Sequence, residues 1–416
     1  MSHLRERAWR PVVAVLLLCA VTAACAPAAA PQQRPVSAAA TAPSPTEDAS
    51  THEAHEATAS AGSEQEAEAA PVALRRGERR TTIAVPSAYT PSAPNGEGTD
   101  DYRCFLLDPE LPQDAWLTGT DIRPGNPDVV HHVILYKVDA ALLDQARAAD
   151  RASDGPGWTC FGGMGLEGEL DKLDDAAWLG AWAPGGRETV SRDGYGVGLD
   201  TGTRIVMQVH YNLLAGVAPD RSAARIRWVP QDAPAGSDIE AVHTVLLPAP
   251  VELPCRPGRD SGPLCSHDAS VADAKARFGE AAGQTANLLH LLCGTEVTPT
   301  DTTTCDRVLP RDMTILGAAG HMHLLGRWIT VVANPGTPRE QQLLDVPIWN
   351  FDDQAATPIE PLRLRAGDTV QVTCHHDQEM RDLLPALQDA EEKYVVWGEG
   401  TTDEMCLGIL QAVFDD

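Results

Sequence analysis

The sequence predicts an all-β protein: two tandem antiparallel β-sandwich domains, jelly-roll-like, with a few short helices, set behind a signal peptide and a disordered linker. Three observations carry this expectation. Short runs rich in β-branched residues recur from about residue 81 to the end, Gly, Pro and Asp break them at close intervals, and helical periodicity is weak.

The strand-like runs are TTIAV at 81–85, VVHHVILYKV at 129–138, TRIVMQVHYNLL at 203–214, ARIRWV at 224–229, HTVLL at 243–247, RWITVVA at 327–333, TVQVTC at 369–374 and KYVVWG at 393–398. Helical pattern is confined to 141–150, 269–283 and 382–392. There is no βαβ alternation, GxGxxG or P-loop, which argues against a nucleotide-binding fold. A Pro/Gly/Asp-rich join, VPQDAPAGSD at 229–238, divides the folded part into domains 81–235 and 236–416.

The chain opens differently. Arg5, Arg7 and Arg10 precede the short apolar run VVAVLLLCAV, and VTAAC then places Cys25 as the acylated residue of a bacterial lipoprotein signal over 1–24. The run is too short for a membrane span. A lipid at Cys25 would tether an exported protein to the cell envelope, periplasmic or at the surface, by that anchor alone. The other reading is an ordinary cleaved signal with a cysteine after Ala24. Residues 25–80, rich in Ala, Pro, Ser, Thr and Glu, read as a disordered linker in which His52 and His55 are solvated.

A formal net charge of -27 argues against nucleic acid and anionic membrane surfaces as partners, and the only basic cluster is RRGERR at 75–80. A monomer acting on a small molecule is expected. Past Cys25 lie Cys104, Cys160, Cys255, Cys265, Cys293, Cys305, Cys374 and Cys406, an even set that fits disulfides in an exported chain. Residue spacing leaves roughly a hundred pairings open.

Metal-ligand residues are scattered through this frame: His131 and His132, His210, His321 and His323, and Met405. Residues i and i+2 of a strand share a face, so His321 and His323 can bite one metal; HxH equally fits zinc hydrolases or a solvated strand face. His131 and His132 can share a metal only at a bulge or strand end, which the preceding PGNPD offers; otherwise one is core and one surface. His210 and Met405, taken singly, read as core residues. A thioether among imidazoles is soft and points to copper.

Read together and in order, VVHHVILY, QVHYN, HMHLLG and GTTDEMC resemble the copper type II, ascorbate-dependent monooxygenases, the family of peptidylglycine α-hydroxylating monooxygenase and dopamine β-monooxygenase. The resemblance runs from about Tyr102 to the C-terminus. It implies two coppers per chain, one held by His131, His132 and His210 and storing an electron, the other held by His321, His323 and Met405, where O2 and substrate meet. It implies hydroxylation of a substrate C–H bond with ascorbate or a similar one-electron reductant, on two sandwich domains facing a solvent-filled cleft that keeps the sites apart. Gln208 and Tyr102 fall on family positions near the first copper. Cys104 with Cys160 and Cys374 with Cys406 match family disulfides; for the other four cysteines, nearest-neighbour pairing is expected.

The sequence also departs from the family. The arginine that clamps a peptide carboxylate is Ala319 here, and the polar residues after the Met-Cys pair are Leu407 and Ile409. That excludes peptidylglycine amidation and suggests a less polar substrate. CHHDQEM at 374–380 imitates a blue-copper loop, but an oxidised Cys374 offers no thiolate. The competing readings are a non-catalytic copper-binding envelope lipoprotein and a zinc hydrolase using HMH. The latter leaves Met405 and His131-His132 unexplained.

Overall fold

The computed structural model describes residues 71–94, 98–166, 172–351, 353–388 and 390–415. The signal, Cys25 and the linker histidines lie outside the described residues. In chain order the first strands are β1 (Arg79–Ala84), β2 (Asp100–Leu107), β3 (Ala115–Arg123), β4 (Val130–Val138), β5 (Trp158–Thr159), β6 (Trp178–Trp182), β7 (Thr189–Val190), β8 (Tyr195–Leu199), β9 (Arg204–Asn212), β10 (Ala223–Pro230) and β11 (Glu240–Ala241). They make two sheets, β1-β10-β3-β8-β11 with β7 beside β3, and β5-β2-β9-β4-β6. The chain crosses between the sheets several times, and their facing sides share a core that includes Ile83, Phe105, Val133, Met207 and Ile226.

The later strands are β12 (His243–Pro248), β13 (Glu252–Leu253), β14 (Thr302–Val308), β15 (Met313–His321), β16 (Gly326–Ala333), β17 (Gln341–Val346), β18 (Thr357–Leu364), β19 (Thr369–His376), β20 (Val395–Val396) and β21 (Leu407–Phe414). Here β12-β21-β15-β18 packs on β14-β19-β16-β17 around Val245, Ile315, Ile329, Val372 and Leu410, with β13-β20 as a small third sheet. The chain is thus all-β, and its named strands pair antiparallel except where β11 runs parallel to β8.

Four details differ from the sequence reading. The linker expected to reach residue 80 is already part of the fold at Val72, because the buried guanidinium of Arg227 takes Val72 O and Ala73 O and pairs with Glu78 and Glu188. β11 lies beyond the expected boundary at 235/236 yet pairs with β8 of the first half. The 269–283 helix is two helices, α2 (His267–Phe278) and α3 (Glu280–Cys293), broken at Gly279, whose φ of 93° ends the first. These follow α1 (Leu143–Ala152). The 382–392 helix shrinks to α4 (Met380–Leu383) and a 3-10 turn, since Pro385 has no N–H to continue it.

Disulfides join Cys104 to Cys160, Cys255 to Cys265, Cys293 to Cys305 and Cys374 to Cys406. Four such bonds suit an exported protein. Among the described residues no helix is long and apolar enough to cross a membrane.

Candidate metal centre

The β5-β2-β9-β4-β6 sheet buries one face in its own sandwich. On the other face Tyr102 and Cys104 alternate with core residues of β2, and Gln208 and His210 do the same on β9. His131 and His132 reach that outer face through a break in parity. The register of β4 against β9 slips between Val130 and His132, so Val130 and Val133 both enter the core and both histidines between them are left outside. His132 then stands opposite His210, and Tyr102 flanks His210 on the other side.

Ligand atoms of His131, His132 and His210 lie within 4.8 Å of one another. His210 Nδ1 is 3.0 Å from His131 Nδ1 and 3.3 Å from His132 Nδ1. Its other nitrogen, Nε2, donates to Asp100 Oδ1 at 2.9 Å, which leaves the lone pair on Nδ1. One lone pair cannot serve two donors, so a cation shared by the three Nδ1 atoms satisfies them better than any set of protons. The separations fit that test: ligand atoms about 2.0 Å from a tetrahedral metal lie roughly 3.3 Å apart. His131 Nε2 is buried without a hydrogen-bond partner among the described residues, and its ring stacks on Phe351 at 4.7 Å.

Burial, reinforced by the neighbouring imidazoles, holds His131 and His132 well below the ordinary histidine range. His210 is also lowered by burial, against the pull of Asp100. All three are therefore neutral at pH 7, as ligands must be. Burial would raise Asp100, but hydrogen bonds from His210 and Thr401 hold its carboxyl below the usual carboxylate range. The Tyr102 ring lies flat on His210 at 4.0 Å and its hydroxyl donates to Glu399 O at 2.5 Å. Gln208 donates to Gly163 O, three residues past Cys160 of the Cys104–Cys160 bond.

The second set lies on the outer face of the β12-β21-β15-β18 sheet. His321 is the last residue of β15, opposite Leu407 of β21; Met322 turns into the core, and His323 follows on His321's side, its ring 5.2 Å away. His321 Nδ1 donates to Gln354 Oε1 at 2.6 Å, and His323 Nδ1 donates to Asp403 O at 3.1 Å. Each ring thus keeps its Nε2 lone pair free. Burial and His323 push the His321 imidazole down to about 4. Asp403 O and the Glu404 carboxylate both meet His323, so the segment running into Met405 lies against that histidine; Met405 itself is buried and next to the Cys374–Cys406 bond. The carboxylate of Glu404 accepts from His323 N at 2.8 Å and Leu325 N at 2.5 Å, and His376 Nε2 reaches Met405 O at 3.1 Å. His376 is therefore a brace, and Cys374 is oxidised, so the CHHDQEM stretch forms no blue-copper loop.

The two sets are not kept apart. The rings of His132 and His321 are 6.2 Å between centroids, and Phe351, from the β17–β18 connection, stacks on His131 while standing 6.4 Å from His323. The expected solvent-filled separation gives way to one buried cluster because second-half segments reach across: Phe351 to His131, Glu399 to Tyr102, Thr401 to Asp100. Asp100, Thr401, Phe351, Gln354 and Glu404 carry no signal in the sequence apart from Glu404's place beside Met405. Ala319 and Ile409 face each other one rung from His321, both partly exposed, with Leu246 next to Ile409.

No family model matches this chain and no curated protein matches it. Among solved structures it overlaps an allantoicase at 14% identity, covering 67% of this chain and 74% of that one, with a TM-score of 0.16. The allantoicase of Saccharomyces cerevisiae overlaps at 10% identity, 74% and 77% coverage and a TM-score of 0.15. A cycloalternan-forming enzyme from Listeria monocytogenes does so at 11% identity, 81% and 22% coverage and a TM-score of 0.16. Overlaps this shallow establish neither a shared fold nor a function.

Proposed function

We propose that this protein is an exported copper-dependent monooxygenase that hydroxylates a C–H bond of a small, weakly polar substrate, using O2 and ascorbate or a similar one-electron reductant. The observation that carries the reading is the direction of the lone pairs. His210, His321 and His323 each give a ring proton to a fixed acceptor and so present the other nitrogen unprotonated. Met405, at the end of the segment that meets His323, adds a soft donor, which favours copper over zinc. Copper held by His131, His132 and His210, and by His321, His323 and Met405, would supply one-electron chemistry and O2 activation.

The chain's own residues do the rest. Asp100, Gln354 and the Asp403 carbonyl fix ring orientation. Phe351 shields His131 from water. Ala319, Ile409 and Leu246 offer an apolar floor beside His321, with Ala319 standing where the resembled enzymes carry the arginine that clamps a carboxylate. Cys25 would tether the protein to the envelope by lipid.

A second reading, a copper-binding lipoprotein without turnover, draws on the closeness of the two sets, which suits storage. Metal analysis decides first: two coppers per chain are expected, and a single zinc overturns the proposal. Ascorbate-dependent oxygen uptake with a small-molecule library, read as a mass gain of one oxygen atom, separates enzyme from store. Hydroxylation that disappears in Met405→Ala supports the enzyme; copper binding with no product from any compound supports the store.

A further inference from the structure

We infer that Thr401 is a positioning residue for the three-histidine set, although it belongs to the other half, and that the segment from Glu399 to Met405 makes the two ligand sets interdependent. The inference rests on reading both sets as copper ligands. Thr401 donates twice to one oxygen, Asp100 Oδ1, from its backbone N at 3.1 Å and its hydroxyl at 2.6 Å. That same oxygen accepts from His210 Nε2. Two residues earlier, Glu399 O accepts from Tyr102, whose ring lies on His210. His210 is therefore oriented in its plane and on its face by atoms of the second half.

The same segment serves the second set. Asp403 O takes the His323 ring proton, Glu404 takes the His323 backbone N–H, and Met405 follows. The Asp403 side chain pins the segment through Arg277 at 2.7 Å, Lys393 and Gly400 N at 3.1 Å. Thr401 and Asp100 are 2% and 4% exposed, so water cannot replace a lost donor. A shift that withdraws Met405 also releases Asp100, and linkage makes the effect reciprocal: metal at either set favours the other.

The test uses full-length folded protein with Thr401→Val, which removes the hydroxyl, Thr401→Ser, which keeps it, and Asp100→Asn, which keeps the shape but not the charge. In metal-free protein, nitrogen-15 imidazole spectra should show His210 protonated at Nε2, with that signal weakened or shifted in Thr401→Val and restored in Thr401→Ser. Competition for cuprous ion against a chromogenic chelator should show about tenfold weaker binding at the three-histidine set in Thr401→Val, with recovery in Thr401→Ser. Asp100→Asn combined with Thr401→Val should cost less than the two separate losses together. An unchanged His210 signal and unchanged affinity in Thr401→Val overturn the inference. If Thr401→Val does not fold, an unchanged His210 signal in Asp100→Asn overturns it instead. Wild-type protein that binds no copper while its His210 signal still answers to Thr401 overturns the copper reading and leaves the positioning role standing.

Discussion

The two ligand sets use the same imidazole and are built by opposite means. His131, His132 and His210 stand on adjacent strands of one sheet, placed by a bulge in β4 and the β4–β9 register, with a buried carboxylate behind His210. His321 and His323 stand at and beyond a strand end, with a neutral amide and a backbone carbonyl behind them and a methionine from another segment. A sheet ladder is rigid and hard to deform. Strand ends and connections yield, which suits the proposal that this second set is the one that admits substrate.

Removing a ligand should break the comparison most sharply. His210→Ala should empty the three-histidine set and Met405→Ala the other. Each should cost more than the roughly 10–100-fold that losing an outer partner costs. Cuprous-ion titration checks it; loss of both coppers in either variant would mean the sets form one indivisible site.

Opening Cys374–Cys406 with paired alanines comes next. This bond ties β19 to the residue after Met405. We expect about 2–5 kcal/mol of lost stability in thermal unfolding, weakened binding at the Met405 set, and little change at His131, His132 and His210.

Gln354→Leu removes the acceptor that turns His321. Roughly tenfold weaker metal binding is expected at that set alone. Equal weakening at both sets would show that the β17–β18 connection acts on the cluster as a whole.

The smallest effect concerns the first half's edge. Burial opposes ionisation of Glu78 and Glu188, but hydrogen bonds from the backbone and from Arg227 hold both carboxyls below their ordinary range. Their contribution to stability is complete above the ordinary carboxylate value and is lost as pH falls through the lowered one. Acid unfolding should therefore steepen below about pH 4. Glu78→Gln should flatten that limb without touching the metal sets.

Much of this architecture is legible locally. Short β-branched runs broken by Gly and Pro announce sandwiches, whereas His131 and His132 after PGNPD leave a bulge or strand end and a core-and-surface pair both open until the β4–β9 register selects the bulge. Other features are not. Gly279 inside a helical pattern reads as tolerated until its φ is known. β11 falls to the second half in the sequence because two residues carry no periodicity that would tie them to β8. Gln354 and Phe351 sit in a connection whose sequence says only that it is irregular.

By itself the sequence determined the all-β class and which imidazole and soft thioether side chains are on hand as donors, because these depend on side-chain chemistry and short-range periodicity. The tertiary structure decided which nitrogen each histidine offers, how close the sets lie, and that Asp100 answers to Thr401, 301 residues away. A tautomer follows from a ring's partner, and partners so distant along the chain meet only when the outer faces of two sheets close on each other.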